Sequence, residues 1–189
     1  MNRVIFKADM ALDHVLIRPA AKVYRTVLPD PVRGSVRHFY DNLQSPITFG
    51  NALLQANWLA ARDTAGRFAV NSTLGIGGLF DPATRMGLAQ HDEDFGQTLG
   101  VWGIGEGPYL VLPVLGPKPP RDAVGMVADH FMDPLTYVLP SGTTWLSLGL
   151  RGVDFVDKRS RHIESVDEVE RTSLDFYATV RSLYRQRRN

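Results

Sequence analysis

The stretch from Asn71 to Pro117 reads NSTLGIGGLFDPATRMGLAQHDEDFGQTLGVWGIGEGPYLVLPVLGP, and the rest of the chain is read outward from it. Glycines fall at 75, 77, 78, 87, 96, 100, 103, 105, 107 and 116, and between Phe95 and Pro117 the only charged side chain is Glu106. Glycine opens φ/ψ regions closed to other residues and lets neighbouring groups approach the backbone. The stretch therefore cannot be one regular helix. It is also too apolar for an ordinary solvated loop. Something must cover it: other parts of the chain, a membrane, or an apolar ligand.

The 189 residues leave room for one domain or two small ones. A hydrophobic content of 44% supplies a core, and a net charge of +1 gives no reason to expect nucleic acid or an acidic substrate as partner. The absence of Cys removes disulfides, thiolate nucleophiles and Cys-ligated metals together. Met1-Asn2-Arg3 is followed by Lys7 and Asp9 without the apolar segment of a secretory signal. No run of about 20 apolar residues is free of helix breakers, so no spanning helix is expected.

Before the glycine-rich stretch, apolar positions recur every three or four residues. Leu12, Val15, Leu16, Ala20, Val23, Tyr24 and Val27 predict an amphipathic helix over 9–28, divided or kinked at Arg18-Pro19. A second helix carries Val32, Val36, Phe39, Tyr40 and Leu43, with Pro31 at its start. Ser45-Pro46 is expected to reset the chain, with Ser45 as an N-cap for a third apolar face. Asn57 caps a helix through Ala69, and Asp81-Pro82 caps a short one to Met86. His91 to Asp94 is a polar loop. Val101 to Leu115 is expected to hold a short hairpin, with Gly103 to Gly107 as the turn and Tyr109 to Leu112 as an extended arm. Pro119 to Phe131 reads as a helix. Pro134 to Leu150 has no charge, and Pro140, Gly142 and Gly149 argue against one straight helix there. Charge returns in helices near 151–162 and from Ser173, the latter with Leu174, Tyr177, Val180, Leu183 and Tyr184 inward and Arg181, Arg185, Arg187 and Arg188 outward.

Chemical motifs are absent. Gly103-x-Gly105-x-x meets Pro108 and Gly75-x-Gly77-x-x meets Phe80 where a dinucleotide fingerprint needs glycine. His91-Asp92-Glu93-Asp94 lacks zincin and EF-hand spacing, so no metal is expected. There is no Gly-x-Ser-x-Gly elbow, and the histidines at 14, 38, 91, 130 and 162 share no motif. The apolar Gly/Pro stretches could be plain core, but they free backbone groups that need partners. A monotopic protein meets both demands, with one helix face in lipid and irregular backbone lining a cavity.

Asn71-Ser72-Thr73-Leu74-Gly75-Ile76-Gly77-Gly78-Leu79-Phe80-Asp81 resembles the N-T-x-G-x-G-G-x-x-D signature of the MlaA/VacJ family of outer-membrane lipid-transport lipoproteins. Asp94 to Gly100, Trp102 to Tyr109 and Leu112 to Pro117 are similar to that family in the same order. So are Asn2-Arg3 to Phe6, Leu12-Asp13, Val32-Arg33, Phe39, Asn42-Leu43, Pro46, Leu54-Gln55, Arg121-Asp122 and Gly125 to Asp129. The resemblance covers about residues 2–160, which implies a family domain over 1–160 and a charged helical extension of it over 161–189. It implies an all-α ring of short amphipathic helices lying in the membrane plane, with one small hairpin-like loop, around an amphipathic channel. The implied function is non-enzymatic: phospholipid mislocalised to the outer leaflet passes to a periplasmic carrier, with a trimeric porin as partner and no cofactor. The implied location is the periplasmic face of the outer membrane, after removal of a signal peptide and lipidation of a Cys that precede the matched residues. The channel and its gating loop are assigned to Gly103, Gly105, Gly107 and Tyr109, with Gly75, Gly77, Gly78 and Phe80; Phe39, Asn42 and Asn71 are structural. His38 stands where the family has Asn. The alternatives are a lipid-acting hydrolase and a soluble periplasmic scaffold.

Overall fold

The computed structural model describes residues 1–138 and 144–188. The first helix starts earlier than expected and runs as α1 (Asn2–Leu12), a π-helical turn (Asp13–Ile17) and α2 (Arg18–Val27). The division at Pro19 is real but takes this form. A proline ring clashes with the carbonyl four residues before it, and widening the preceding turn relieves the clash. The Arg18 N–H accordingly donates to the Asp13 carbonyl, five residues back.

Pro46 does not reset the chain. It lies inside α3 (Asp30–Leu54), and the Ser45 hydroxyl donates back to the Asp41 carbonyl at 3.1 Å rather than capping a new helix. An internal proline costs about 3 kcal/mol. Here the helix persists because its face continues on both sides, with Tyr40 and Asn42 buried before Pro46 and Ile47, Thr48, Asn51 and Ala52 buried after it. Phe39, expected in the core, is half-buried; its neighbour Tyr40 is the buried aromatic.

α4 (Trp58–Thr73) starts at Asn57, whose side chain accepts from the Ala60 N–H at 3.2 Å. α5 (Pro82–Arg85) is capped by Asp81 as expected. The sequence reading missed α6 (Phe95–Val101), which is capped by Asp94 accepting from Gln97 N–H at 2.8 Å. The hairpin pairs β1 (Val111–Leu112) with β2 (Gly116–Pro117), so its turn is Pro113-Val114-Leu115 and not Gly103 to Gly107. α7 (Pro120–Met132) and α8 (Leu135–Val138) follow. α9 (Thr144–Arg161) begins inside the uncharged stretch and carries Gly149; Pro140 and Gly142 lie outside the described residues. α10 (Ile163–Thr172) was not anticipated, and α11 (Phe176–Arg188) begins after Leu174, which points fully outward instead of inward.

α3 packs along α4 and touches α6, α7 and α9, while α9 also covers α2. α6 and α7 meet backbone to backbone, since a Cβ on Gly125 would fall 2.3 Å from the Gly96 nitrogen. The chain then closes on itself as a ring. Arg3–Asp175 (2.6 Å), His14–Glu170 (3.1 Å), Arg18–Asp167 and Arg25–Glu164 (2.5 Å) zip the first helix antiparallel against the chain's last segments. Exposed pairs of this kind contribute only about 0–1 kcal/mol each, so they set register more than stability. Behind them Arg159 grips Asp13 with two hydrogen bonds of 2.7 and 2.8 Å, both side chains largely buried.

The end of α3 gives a direct test of backbone strain. Ala56 follows the helix with φ +55°, while Asn57 N–H reaches the Ala52 carbonyl and Ala56 N–H the Leu53 carbonyl. This is the Schellman arrangement, which favours glycine at the position Ala56 holds. Ala56 is exposed, so nothing buried is lost on truncation. Ala56→Gly is expected to stabilise the protein by about 1 kcal/mol, the net of left-handed strain relieved and unfolded-state entropy gained. Chemical unfolding of both proteins in the same detergent checks it.

Candidate functional site

The glycine-rich turn after α4 is built around one buried ion pair. Arg67 and Asp81 meet at 2.8 Å with side chains only 9% and 11% exposed. Arg67 also donates to Thr84 Oγ1 (3.0 Å) and to the Leu88 carbonyl (2.8 Å). One turn further along α4, Asn71 donates to Asp81 Oδ1 at 3.0 Å and accepts from the Ala83 N–H at 3.1 Å. Burial alone would raise the Asp81 carboxyl, but hydrogen bonds from Thr84, Arg67 and Asn71 outweigh it and lower it from 3.8 to about 2.

To connect Asn71 with Asp81 in so short a span, the chain needs left-handed backbone at Ile76 (φ +54°), Gly77 (+67°) and Gly78 (+92°). Gly78 lies against α3, where a Cβ would fall 2.5 Å from that of Asn42, and Asn42 donates to Ser72 Oγ at 3.0 Å. Gly75 is equally confined, since its Cβ would lie 2.4 Å from the Asn71 and Phe80 carbonyl oxygens. The structure thus unites Asn42, Asn71, Gly75 and Gly78. Phe80 turns outward, 56% exposed, and with Leu74, Leu79 and His38 lines a cleft of about 580 Å³.

Gly103, Gly105, Gly107 and Tyr109 lie elsewhere, and they do different things. Gly103 (φ +87°) ends α6: its N–H reaches the Gly100 carbonyl and Ile104 N–H the Leu99 carbonyl, again a Schellman end. It is a helix cap, not a loose hinge. Gly105 faces open space, and Gly107 (φ +76°) lies against Pro120. Tyr109 is core: it is 6% exposed among Phe6, Val111, Tyr177 and Tyr184, its carbonyl accepts from Asn2 at 2.6 Å, and burial pushes its hydroxyl up to about 12. Glu106 pairs with Arg185 at 3.2 Å, and Arg121 donates to the Ile104 carbonyl at 3.4 Å, so the loop is tied on both sides of Gly105.

The sequence reading missed a second apolar space. A cavity of about 420 Å³ lies between α1, the hairpin tip and α9 to α11, with Met10, Ile17, Leu115, Phe155, Val166 and Val169 in its wall. Asp9, Asp13 and Arg159 are its charged lining. Asp9 also holds the hairpin tip, accepting from the Val114 N–H at 2.8 Å. Pro113-Val114-Leu115-Gly116 was the available signal, an apolar turn ending in a glycine with φ +70°.

The distribution of polarity is the most informative feature. Buried apolar residues are few and many are small, among them Ala21, Ala52, Ala60, Ala61 and Ala83. Asn51, Thr98, Asp157 and Ser160 are among the largest fully buried side chains. Large apolar groups sit outside, including Val15 (79%), Trp58 (70%), Leu74 (71%), Phe131 (63%) and Leu148 (65%). Among the described residues no helix is long and apolar enough to cross a membrane, and no His, Asp or Glu cluster could hold a metal ion.

Fold and site together define a class: an all-α ring that buries many polar groups and exposes many large apolar ones, with a two-stranded hairpin among the described residues. The chain belongs to the MlaA lipoprotein family, whose model matches residues 1–189, past the point where the motif resemblance stopped. It is 35% identical over 98% of its length to the intermembrane phospholipid transport system lipoprotein MlaA of Escherichia coli, covering 74% of that protein. It is 37% identical over 99% of its length to an uncharacterized protein of Rickettsia bellii, covering 72% of it. A solved structure described as the structural basis for maintenance of bacterial outer membrane lipid asymmetry superposes with a TM-score of 0.88 at 34% identity, covering 99% of this chain and 94% of that one.

The Arg67–Asp81 pair yields a prediction with a defined sign. Asp81→Asn strands the buried guanidinium and is expected to cost about 3–5 kcal/mol. Because the Asp81 carboxyl lies at about 2 when folded against 3.8 ordinarily, its contribution is complete above about pH 4 and is lost as pH falls through about 2. Unfolding titrations from neutral pH to pH 2 should therefore show the gap between wild type and Asp81→Asn closing in that window.

Proposed function

We propose that the protein moves phospholipid without covalent chemistry, taking molecules misplaced in the outer leaflet of the outer membrane and releasing them to a soluble periplasmic carrier. The observation that carries this reading is the inverted polarity of the ring. A water-soluble protein buries most of its large apolar side chains; this one leaves many of them exposed and buries hydrogen-bonded polar groups beside a small aromatic cluster. Large apolar side chains exposed in such number, among them Trp58, Leu74, Phe131 and Leu148, mark a membrane or partner face. Among the described residues no helix is suited to crossing, and a ring lying in the membrane plane at its periplasmic face gives the exposed apolar groups an apolar neighbour. The apolar outside faces acyl chains and a trimeric porin, and the inside is an amphipathic passage.

The energetics favour such a passage. Moving a lipid CH₂ from one apolar setting to another changes little, whereas exposing it to water costs about 0.8 kcal/mol. The 420 Å³ cavity supplies the apolar part of the path and Asp9, Asp13 and Arg159 the polar part. The hairpin tip at Val114 borders it, and that tip together with the loop around Gly105 supplies the movable elements.

Two measurements test this. The three tryptophans, Trp58, Trp102 and Trp145, are 70%, 53% and 69% exposed. Single-Trp variants in vesicles of brominated phospholipid are expected to be quenched at each position; fluorescence equal to that in unbrominated vesicles would contradict a lipid-facing ring. In the second, Gly105→Pro is compared with wild type for stability and for transfer of fluorescent phospholipid to an acceptor. A side-chain carbon added at Gly105 would meet nothing within 4 Å, so folding is expected to be unchanged within about 1 kcal/mol while transfer falls. Release of fatty acid by the pure protein would instead favour a hydrolase.

A further inference from the structure

A second cleft, of about 520 Å³, opens where the start of α1 meets α11, lined by Arg3, Tyr177, Arg181, Ser182, Arg185 and Gln186. The sequence of α11, FYATVRSLYRQRR, contains arginine at 181, 185, 187 and 188 and no carboxylate. Cations in the last turn of a helix offset its dipole, but Arg181 lies mid-helix, where that account does not reach. Its guanidinium sits over the ring of Tyr109, 5.5 Å from the centroid, and that of Arg3 sits over Tyr177 at 4.7 Å. The two tyrosines pack edge to face at 6.0 Å, so the platform is part of the core.

The ion pairs around the cleft leave donors in surplus. Arg3 is matched by Asp175. Arg181 has no carboxylate partner among the described residues. Arg185 is incompletely matched: its Nε lies 3.2 Å from Glu106 Oε1 yet is buried without a hydrogen bond, as is Glu106 Oε2. Ser182 Oγ accepts from Gln186 at 3.1 Å, which leaves its own proton to donate. Stacked guanidiniums keep their in-plane N–H groups available, and a fork of such donors matches the oxygens of a phosphate.

We propose that this cleft is a phosphate site whose ligand is the phosphodiester of a phospholipid headgroup, held by Arg181 and Arg185 with help from Ser182. A phosphate here competes with Glu106 for Arg185, and so loosens one of the two ties that hold the loop at Gly105. The headgroup as source rests on the transport reading; the anion site itself does not.

Calorimetric titration of the full chain in a neutral detergent tests it with two probes, inorganic phosphate and dihexanoyl phosphatidylglycerol, each at low and high NaCl. Both are expected to bind, and more weakly in salt. Arg181→Gln should weaken both by about tenfold or more, the loss of one charge-assisted hydrogen bond, with an unchanged melting temperature. Arg181→Lys should recover part of the loss. Glu106→Gln should shift affinity the other way, tightening both probes, which a merely structural role for the pair would not produce. Arg181-dependent binding of phosphate alone would overturn the headgroup as ligand. Lipid binding or transfer indifferent to both Arg181→Gln and Glu106→Gln would overturn the site while leaving transport standing. Should Arg181→Gln fail to fold, the opposite-signed response of Glu106→Gln still decides.

Discussion

A ring with an apolar outside has to be held together from within by polar contacts, and that constraint governs this structure. The hydrophobic effect drives large side chains inward only when water surrounds the protein. Here the interior is joined by groups such as Asn51, which donates to Asp129 Oδ1 at 2.9 Å and accepts from Thr98 at 2.8 Å, linking α3 to α6 and α7. Asp129 also accepts from the Phe95 N–H, at the start of α6. On the opposite side Asp157, 1% exposed, faces Tyr24, Arg37 and Arg161. Removing a single partner from such a network strands a buried polar group, which is why small changes inside matter more than large ones outside.

The glycines follow from the same constraint. Polar networks are short-range, so helices must approach closely for them to form. Gly96 and Gly125 allow α6 and α7 to touch, and Gly78 allows the turn after α4 to rest on Asn42. Others end helices, as Gly103 does. Gly105 serves neither purpose, and it lies between two ties, Arg121 to Ile104 and Arg185 to Glu106. The backbone there is held by contacts from α7 and α11.

The glycine-rich stretch therefore contains two separate devices. Asn71 to Asp81 is a rigid corner, locked by the Arg67–Asp81 pair and by Asn71, with an apolar tip of Leu74, Ile76, Leu79 and Phe80 on the outside. Gly103 to Pro117 is a tethered strap that crosses from α6 to the first and last helices, anchored through Tyr109 and Val111 in the aromatic cluster with Phe6. The corner is fixed by a buried ion pair, whereas the strap is held by its ends and by two ties.

The sequence alone determined the helical class, the caps at Asn57 and Asp81, and the family, because these depend on short-range chemistry: a side chain bonding a backbone three residues away, or a motif in fixed order. It also located the division at Pro19, a purely local steric effect. Tertiary structure decided the rest. Whether Pro46 breaks a helix depended on the packed face that continues beyond it. Whether Phe39 or Tyr40 turns inward depended on where α9 lies, with Lys158 over the Tyr40 ring at 5.4 Å. The antiparallel match of residues 3, 14, 18 and 25 with 175, 170, 167 and 164 joins positions more than a hundred residues apart. No periodicity records such partners, because each charge reads locally as one more solvated residue on a helix face. Only when the two ends of the chain meet does it become part of the seam that closes the ring.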